Sequence, residues 1–211
     1  DRILLQSIGE NSYEIIEFSR TRGILLLTLV FVVLVLLIGG KKGFNALVGL
    51  VYSFAIILYF IIPHILSGMN PIIVSLIGSI LILIVTLYVS YGFNKKSLSA
   101  FIGISLTLLF VGILAQYAVH ALHFTGLGSE ESSFLLQEMA GKIDFVSLII
   151  GGIIIAAIGV LDDVAITQAS TVFALHSMDS RIKHWELYKK AMEVGKDHSS
   201  AVINTLVLAY T

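Results

Sequence analysis

The sequence predicts an all-α, polytopic integral membrane protein, a helical bundle with about six transmembrane helices of which the last is truncated. The composition is 57% hydrophobic and 13% charged, and the mean hydropathy is +0.96. Both values are typical of membrane proteins. No Asp or Glu occurs between Ser19 and Ser129, although long apolar segments follow one another there. An α-helix rises 1.5 Å per residue, so segments of about 20 residues cross a hydrocarbon core of ~30 Å.

Six apolar segments predict the spans, at approximately residues 23–40, 44–66, 72–93, 98–124, 145–175 and 198–211. The first is just long enough for one crossing, and short turns with lysine, glycine or proline separate it from the next two. The sixth reaches only about 21 Å at the helical rise, so we expect it to be incomplete. The sequence begins at Asp1 without Met and stops inside an apolar run, which favours an internal piece of a longer protein.

The polar segments between the spans predict the orientation. Residues 1–22 mix acids and arginines and predict an extracytoplasmic connector, and residues 125–144 predict an outer amphipathic connection. Residues 176–197 carry the only Trp among basic residues, which favours a cytoplasmic segment in the membrane interface. Lysines and arginines concentrate after spans one, three and five, whereas Lys142 stands alone after spans two and four. The positive-inside rule therefore places the basic connections in the cytoplasm, and we expect a multi-pass membrane protein.

Two adjacent carboxylates interrupt the fifth apolar segment. Asp162 and Asp163 follow directly on the apolar run 145–157, so the prediction places them deep in a membrane-spanning helix. A carboxylate at the bilayer centre costs at least ~2.5–3.5 kcal/mol on translocon scales. At 100° per residue Asp163 falls on one face with three small residues and two hydroxyls, and Asp162 points elsewhere. Asp163 is therefore the better candidate for a buried site, with Asp162 serving a neighbouring helix.

The spacing predicts two polar stripes that face each other across spans five and six. The first stripe contains three small residues that suit helix packing, Gly152, Ala156 and Gly159. It continues with three polar residues that could line a path, Asp163, Thr167 and Ser170. Gln168 lies on another face of the same helix and joins the path. The second stripe contains Glu193, Asp197, Ser200 or Ala201, and Asn204, flanked by Lys196 and His198. Small residues let two helices approach closely, and hydroxyls and amides form hydrogen bonds across them.

Two functions from different classes fit these stripes. One is a permease or channel-like protein that moves a small solute or ion, with Asp163 and Asp197 lining the path. The other is a membrane scaffold without transport, whose stripes hold a second copy or a partner membrane protein. A solvent-reachable cavity that touches both aspartates favours transport, whereas dry stripes buried against another helix favour the scaffold. The lipid bilayer surrounds the protein in either case.

Other chemistry is poorly supported by the sequence. Cysteine is absent, which excludes disulfides and thiolate nucleophiles. No nucleotide-binding or hydrolase motif occurs, no basic cluster suggests nucleic acid, and we expect neither enzymatic activity nor a cofactor. Asp163 and Asp197 resemble an aspartyl intramembrane protease only weakly, because the Gly-x-Gly-Asp motif is missing. His64, His120 and His123 lie at similar predicted depth and are weak candidates for a zinc site, near Glu130 and Glu131.

The chain resembles the YibE/F-like family of bacterial multi-pass membrane proteins. Most of the resemblance rests on Gly151-Gly-Ile-Ile-Ile-Ala-Ala-Ile-Gly-Val-Leu-Asp-Asp-Val-Ala-Ile-Thr-Gln-Ala-Ser170. Support comes from Val194-Gly-Lys-Asp-His198, Asn204-Thr-Leu-Val-Leu-Ala-Tyr210, Ser67-Gly-Met-Asn-Pro71 and Gly126-Leu-Gly-Ser-Glu-Glu131. Members often have a single acid at the position of Asp163, and the resemblance implies a further helix after Tyr210. It implies the fold and a location in the bacterial cytoplasmic membrane, and it brings no substrate or reaction.

Overall fold

The computed structural model describes residues 3–9, 12–18, 21–125 and 144–210. The chain divides into two compact units, residues 1–47 and 48–211. Helices form nearly all of the described structure, which confirms the predicted helical class. The first unit also contains a hairpin that the sequence analysis did not predict, in which strand β1 (Ile3–Gly9) pairs antiparallel with strand β2 (Ser12–Phe18).

The first two predicted spans lie in one segment without an intervening loop, Thr21–Leu66, whose helices meet at a kink at Gly40. Helix α1 (Thr21–Ile56) passes into a π-helical turn (Ile57–Ile61) and then into the short helix α2 (Ile62–Leu66). The run is broken at Gly40, which has φ 52° and ψ −129°, a conformation that glycine adopts without a steric penalty. Gly43 then lies against the backbone of Val35. In a straight helix these residues would be about 12 Å apart along the axis, so the chain turns back at Gly40.

Four longer helices follow: α3 (Pro71–Tyr91), α4 (Lys95–Ala121), α5 (Phe145–Met178) and α6 (His184–Tyr210). Within the described residues, four helical runs are long and apolar enough to cross a membrane, namely Thr21–Leu66, α3, α4 and α5. The prediction of about six spans is therefore wrong. Spans 23–40 and 44–66 join at Gly40 without a loop. The predicted sixth span, 198–211, is the second half of α6, which begins with the polar residues predicted to form a separate interfacial segment.

Side-chain caps define where three of these helices begin. Asn70 accepts hydrogen bonds from the backbone N–H groups of Ile72 and Ile73 and caps α3, and Asn94 accepts one from Ser97 and caps α4. Asp144 caps α5 by accepting from the Val146 N–H at 3.1 Å and from the Ser147 hydroxyl at 2.5 Å. The hydrogen bond from the Ser147 side chain lowers the pKa of the exposed Asp144 carboxyl below its ordinary value. The predicted outer connection lies mostly in residues 126–143, outside the described part.

The core of the second unit forms where α3, α4 and α5 pack together. Its largest fully buried side chains are apolar: Ile61, Leu83, Leu87, Ile104, Leu108, Ile150 and Ile154. Ile154 of α5 packs beside Gly112 of α4, where a Cβ on the glycine would be at ordinary van der Waals distance from the isoleucine. Gly151 of α5 lies against Ser75 of α3, and Asp162 lies near Thr86, eleven residues further along both helices. Helices α3 and α5 are therefore parallel neighbours in a constant register.

Helix α5 is longer than a membrane is thick. Its 34 residues extend about 51 Å, whereas the 21 residues of α3 extend about 31 Å, close to the ~30 Å hydrocarbon core. The C-terminal part of α5 continues past the Tyr91 end of α3 and packs antiparallel against the first half of α6. We call residues 166–197 of this helix pair the α5–α6 hairpin.

Candidate functional site

Asp162 lies between α5 and α3 near one end of the bundle. The Thr86 side chain lies beside its carboxylate, with the Thr86 hydroxyl donating to the Leu83 carbonyl at 3.4 Å, and Asp162 Oδ1 is buried without a partner among the described residues. Thr86 precedes the last residue of α3 by five positions, or about 7.5 Å along the helix. The carboxylate is therefore about one and a half turns inside the Tyr91 end of α3, while on α5 it stands near the middle of the helix.

Asp163 points away from α3 and towards α6. Its side chain is 72% exposed, and its Oδ2 lies 3.9 Å from Nε2 of His198, whose side chain is 33% exposed. That separation allows an ion pair when the imidazole is protonated but is too long for a hydrogen bond. The prediction that Asp163 is the buried member of the pair is wrong, because Asp162 is the more enclosed carboxylate. Adjacent residues on a helix diverge by about 100°, so the two aspartates serve different interfaces.

Tyr91 and Lys96 lie at the same end of the bundle as the two carboxylates. Tyr91 is close enough to Asp162 and Asp163 for electrostatic interaction. Lys96 Nζ lies 5.7 Å from the centre of the Tyr91 ring, within the range of a cation–π interaction. The acidic pair is thus bordered by a phenol and an ammonium on one side and by the His198 imidazole on the other. We call Thr86, Tyr91, Asp162, Asp163 and His198 the acidic junction.

Gln168 fixes the position of α6 relative to α5. Its side-chain Nε2 donates a hydrogen bond of 2.9 Å to the backbone carbonyl of Ala191. A Cβ on Gly195 would lie 2.6 Å from Gln168 Oε1, so a larger residue there would displace the end of the Gln168 side chain from this position. Gln168, which the sequence predicts for the polar path, therefore joins two helices through a hydrogen bond. Its amide is held on the α6 backbone, one to two turns beyond the acidic junction.

The second predicted stripe does not face α5. Asp197, Ser200 and Asn204 are exposed, and so is Glu193. Asp197 and Glu193 instead border a groove of about 290 Å³ that is lined by α6 residues alone. The face of α6 that meets α5 carries Ala191, Gly195 and His198, two positions before the residues of the predicted stripe. The prediction that two acidic stripes face each other is therefore wrong, and His198 is the residue of α6 that accompanies Asp163.

The predicted packing glycines also lie on the open side of α5. Nothing lies within 4 Å of a Cβ built at Gly152 or Gly159, and Ala156 is exposed. The glycine that permits close helix packing is Gly151, on the neighbouring face. Thr167 and Ser170, predicted for the polar path, are half-buried in α5. The Ser170 hydroxyl donates to the Ile166 carbonyl at 2.6 Å, and the Thr167 backbone carbonyl accepts from the Thr171 hydroxyl at 3.0 Å.

The three histidines suggested for zinc do not come together. Each directs Nδ1 towards a backbone carbonyl of its own segment: His64 to Phe60, His120 to Gln116 and His123 to Ala121. Across residues 21–125 and 144–210, no three His, Cys, Asp or Glu side chains are grouped closely enough to hold a metal ion. Glu130 and Glu131, the predicted acidic partners, lie outside the described residues.

Sequence reasoning missed the contribution of α3 to the site. Thr86, Tyr91 and Ser75 lie on the helix that packs beside Asp162 and Gly151, yet α3 contains no charged residue that would have drawn attention to it. A usable signal was present, because Ser75, Gly78, Ser79 and Thr86 recur at helical spacing in an otherwise apolar segment. Small and hydroxylated residues in that pattern are typical of a packed or polar face in a membrane helix.

The long apolar helices and the acidic junction define a helical membrane protein with ionisable groups gathered near one end of its bundle. Comparison with protein families identifies its kind more closely. The chain belongs to the YibE/F-like protein family, which it matches over residues 27–211, and this confirms the resemblance drawn from the sequence. Neither the comparison with curated proteins nor that with solved structures gives a match.

Proposed function

We propose that the protein is a permease or channel-like protein that moves a small ion or solute through the membrane, with Asp162 and Asp163 lining the path. The observation that carries this proposal is the placement of Asp162 in a membrane helix, with one carboxylate oxygen buried and unpartnered. Ionisable residues within membrane helices are costly and rare, and they mark ion pathways and proton relays. The acidic junction therefore supports a passage for positive charge.

The two carboxylates would act in sequence rather than together. Asp163 is exposed beside His198, so it is the group that an ion meets first from the α6 side. Asp162 is enclosed against Thr86 of α3, so it is the group that receives the ion within the bundle. Because the side chains diverge around α5, a species that passes from one to the other moves around the helix towards its interface with α3.

A scaffold function is the second candidate, and a separate observation favours it. Gly152, Ala156 and Gly159 form an exposed small-residue face on α5, and this face continues to the exposed Asp163. Small residues at that spacing allow a second helix to approach closely, and a carboxylate at its end would select a hydrogen-bond donor on the partner. Under this reading the face binds another membrane helix, and no flux depends on the aspartates.

Flux through the purified protein in proteoliposomes separates the two functions. We expect wild-type protein to move one of Na⁺, K⁺ or H⁺ and Asp162→Asn to reduce the rate by at least about tenfold, a loss of ~1.4 kcal/mol in barrier height. Asp163→Asn should also reduce the rate, because it removes the first negative group. Asp197→Asn is the matched control, since it makes the same change in the exposed groove of α6 and should leave flux intact.

The opposite results are equally informative. If Asp197→Asn abolishes flux and Asp162→Asn does not, the path follows the stripe predicted from the sequence and the acidic junction is wrong. If wild-type protein moves none of the three ions, while Gly152→Leu and Gly159→Leu disrupt a complex that is stable in detergent, the scaffold function is correct.

A further inference from the structure

Three serine hydroxyls among the described residues are buried without a hydrogen-bond partner, Ser75, Ser79 and Ser105, and the first two lie together on α3. Ser75 and Ser79 lie one turn apart on α3, both with 0% exposure, and neither Oγ has a partner among the described residues. Other hydroxyls in these helices donate to the carbonyl four residues earlier, as Ser53 does to Gly49 at 2.9 Å and Thr107 does to Gly103 at 2.8 Å. Ser75 and Ser79 do not make this bond, so their oxygens are available to a species that enters between the helices.

Leaving these hydroxyls unpaired is energetically unfavourable. A buried polar group without a partner costs about 1–3 kcal/mol, whereas alanine at the same position would cost nothing of this kind. Packing alone therefore gives no reason for serine at either position. A hydroxyl oxygen in a membrane helix can replace part of the hydration shell of a water-borne cation, which is how pore-lining oxygens reduce the cost of dehydration.

The two serines lead towards the acidic junction. Ser75, Ser79, Leu83 and Thr86 follow one another at spacings of four, four and three residues, so they share one face of α3, which we call the serine column. Ser75 lies against Gly151 of α5, and Thr86 lies beside Asp162 of the same helix. The column therefore runs along α5, from near the Pro71 end of α3 to the enclosed carboxylate.

Two contacts close the column in the structure. A Cβ on Gly151 would lie 2.6 Å from Ser75 Oγ and 3.1 Å from the Pro71 carbonyl oxygen, so α3 and α5 leave no room for water at this level. Leu83 is fully buried and separates the two serines from Thr86. A ring of apolar side chains between polar levels is a common form of gate, because water leaves a narrow apolar constriction.

We propose that the serine column is the second half of the transport path, between Asp162 and the Pro71 end of α3, and that the structure shows it closed. Its ligand is a small monovalent cation that exchanges part of its hydration shell for the hydroxyl oxygens of Ser75 and Ser79. Opening requires α3 and α5 to separate at Gly151 and Leu83 to leave the column. This inference rests on the proposed transport function and specifies the route that the ion takes after Asp162.

The natural absence of cysteine allows a direct test on the full chain. Ser75→Cys and Ser79→Cys are each reconstituted in proteoliposomes and exposed to a cationic, membrane-impermeant thiosulfonate reagent. Ile77→Cys is the matched control, because Ile77 lies between them on the other side of α3 and is 44% exposed. The reagent reacts with thiolates, and a thiol in an apolar setting stays protonated, so we expect both serine positions to react at least about tenfold faster than the control.

The test separates a wrong route from a wrong function. If Ser75→Cys and Ser79→Cys react no faster than Ile77→Cys while flux still depends on Asp162, the proposed function holds and the serine column is wrong. If both positions react quickly but no ion moves, the column is hydrated and the proposed function is wrong.

A second measurement applies if a cysteine variant fails to fold. The double variant Ser75→Ala/Ser79→Ala removes both unpaired hydroxyls, so it should keep or raise the melting temperature while lowering flux at least about tenfold, or ~1.4 kcal/mol. Unchanged flux in this variant overturns the proposal.

Discussion

The contact between Gly151 and Ser75 allows a quantitative test of how α3 and α5 pack. Substituting Gly151→Ala places a Cβ 2.6 Å from Ser75 Oγ and 3.1 Å from the Pro71 carbonyl oxygen. The hydroxyl is completely buried and the carbonyl belongs to the backbone, so neither can move away freely. Inserting a methyl group into such a site typically costs about 1–3 kcal/mol. Alanine also favours a helix over glycine by ~1 kcal/mol, and this gain partly offsets the clash.

Gly152→Ala is the control that removes the offset. It gains the same helix propensity on the adjacent position, where nothing lies within 4 Å of the new Cβ. The difference between the two variants is therefore the clash alone, about 2 kcal/mol. For a chain of 211 residues, each kcal/mol shifts the melting temperature by roughly 2–4 °C, so Gly151→Ala should melt about 4–8 °C below Gly152→Ala.

Thermal unfolding of the detergent-solubilised protein measures this difference. Adding Ser75→Ala to Gly151→Ala removes the closest contact and should restore at least half of the loss, which a double-mutant cycle reports as coupling between the two positions. Equal melting temperatures for Gly151→Ala and Gly152→Ala would refute the packing of α3 on α5 described above. A melting temperature for Gly152→Ala below that of Gly151→Ala would instead support the stripe predicted from the sequence, which places Gly152 on the packed face.

Two further predictions concern the α5–α6 hairpin and the start of α5. Gln168→Leu removes the hydrogen bond to Ala191 and should lower the free energy of unfolding by about 1 kcal/mol, whereas Gln116→Leu on the exposed face of α4 should have little effect in the same thermal assay. The lowered pKa of Asp144 means that its capping interaction stabilises the fold above the ordinary value of 3.8 and is lost as the pH falls through the lowered pKa. Asp144→Asn keeps a capping oxygen but cannot titrate, so the stability of this variant should decline less than that of wild type in that acid range; parallel declines would contradict the assignment.

Helices could be predicted from the sequence where clear end signals bound an apolar segment, and not where such signals were missing. Spans three to five were predicted within about three residues of α3, α4 and α5, because Asn and Asp caps and lysine-bearing turns bound long apolar segments. Gly40 gave no such signal, since a glycine followed by two lysines is equally consistent with a loop between separate helices. For α6, the change from polar to apolar residues suggested a boundary near residue 198, but the backbone continues through it as one helix.

The candidate site was harder to predict, because helical spacing defines faces but not which neighbour covers each face. The sequence correctly separated Asp162 from Asp163 by about 100°, yet the identity of the enclosed carboxylate depends on where α3 packs. That position is set by Gly151 and Ser75, whose contact no pattern within α5 alone reveals. The placement of His198 beside Asp163 similarly depends on Gly195, which lets the Gln168 side chain approach and thereby determines which side of α6 is turned inwards.

The length of α5 has a mechanical consequence. The helix continues without a break from Asp163 to Met178, about 23 Å along its axis, and the Gln168 hydrogen bond couples α6 to it. A stiff rod of this kind acts as a lever with arms of similar length on the two sides of Asp163, about 27 Å to Phe145 within the bundle and about 23 Å to Met178 beyond it. If it pivots at the level of the aspartates, a rotation of about 10° moves the far tip by roughly 4 Å, by the geometry of a straight helix. Conversely, a force on the Met178 end of α5 rotates the helix but displaces Asp163 and His198 very little. Small movements around the carboxylates are therefore linked to large ones outside the bundle.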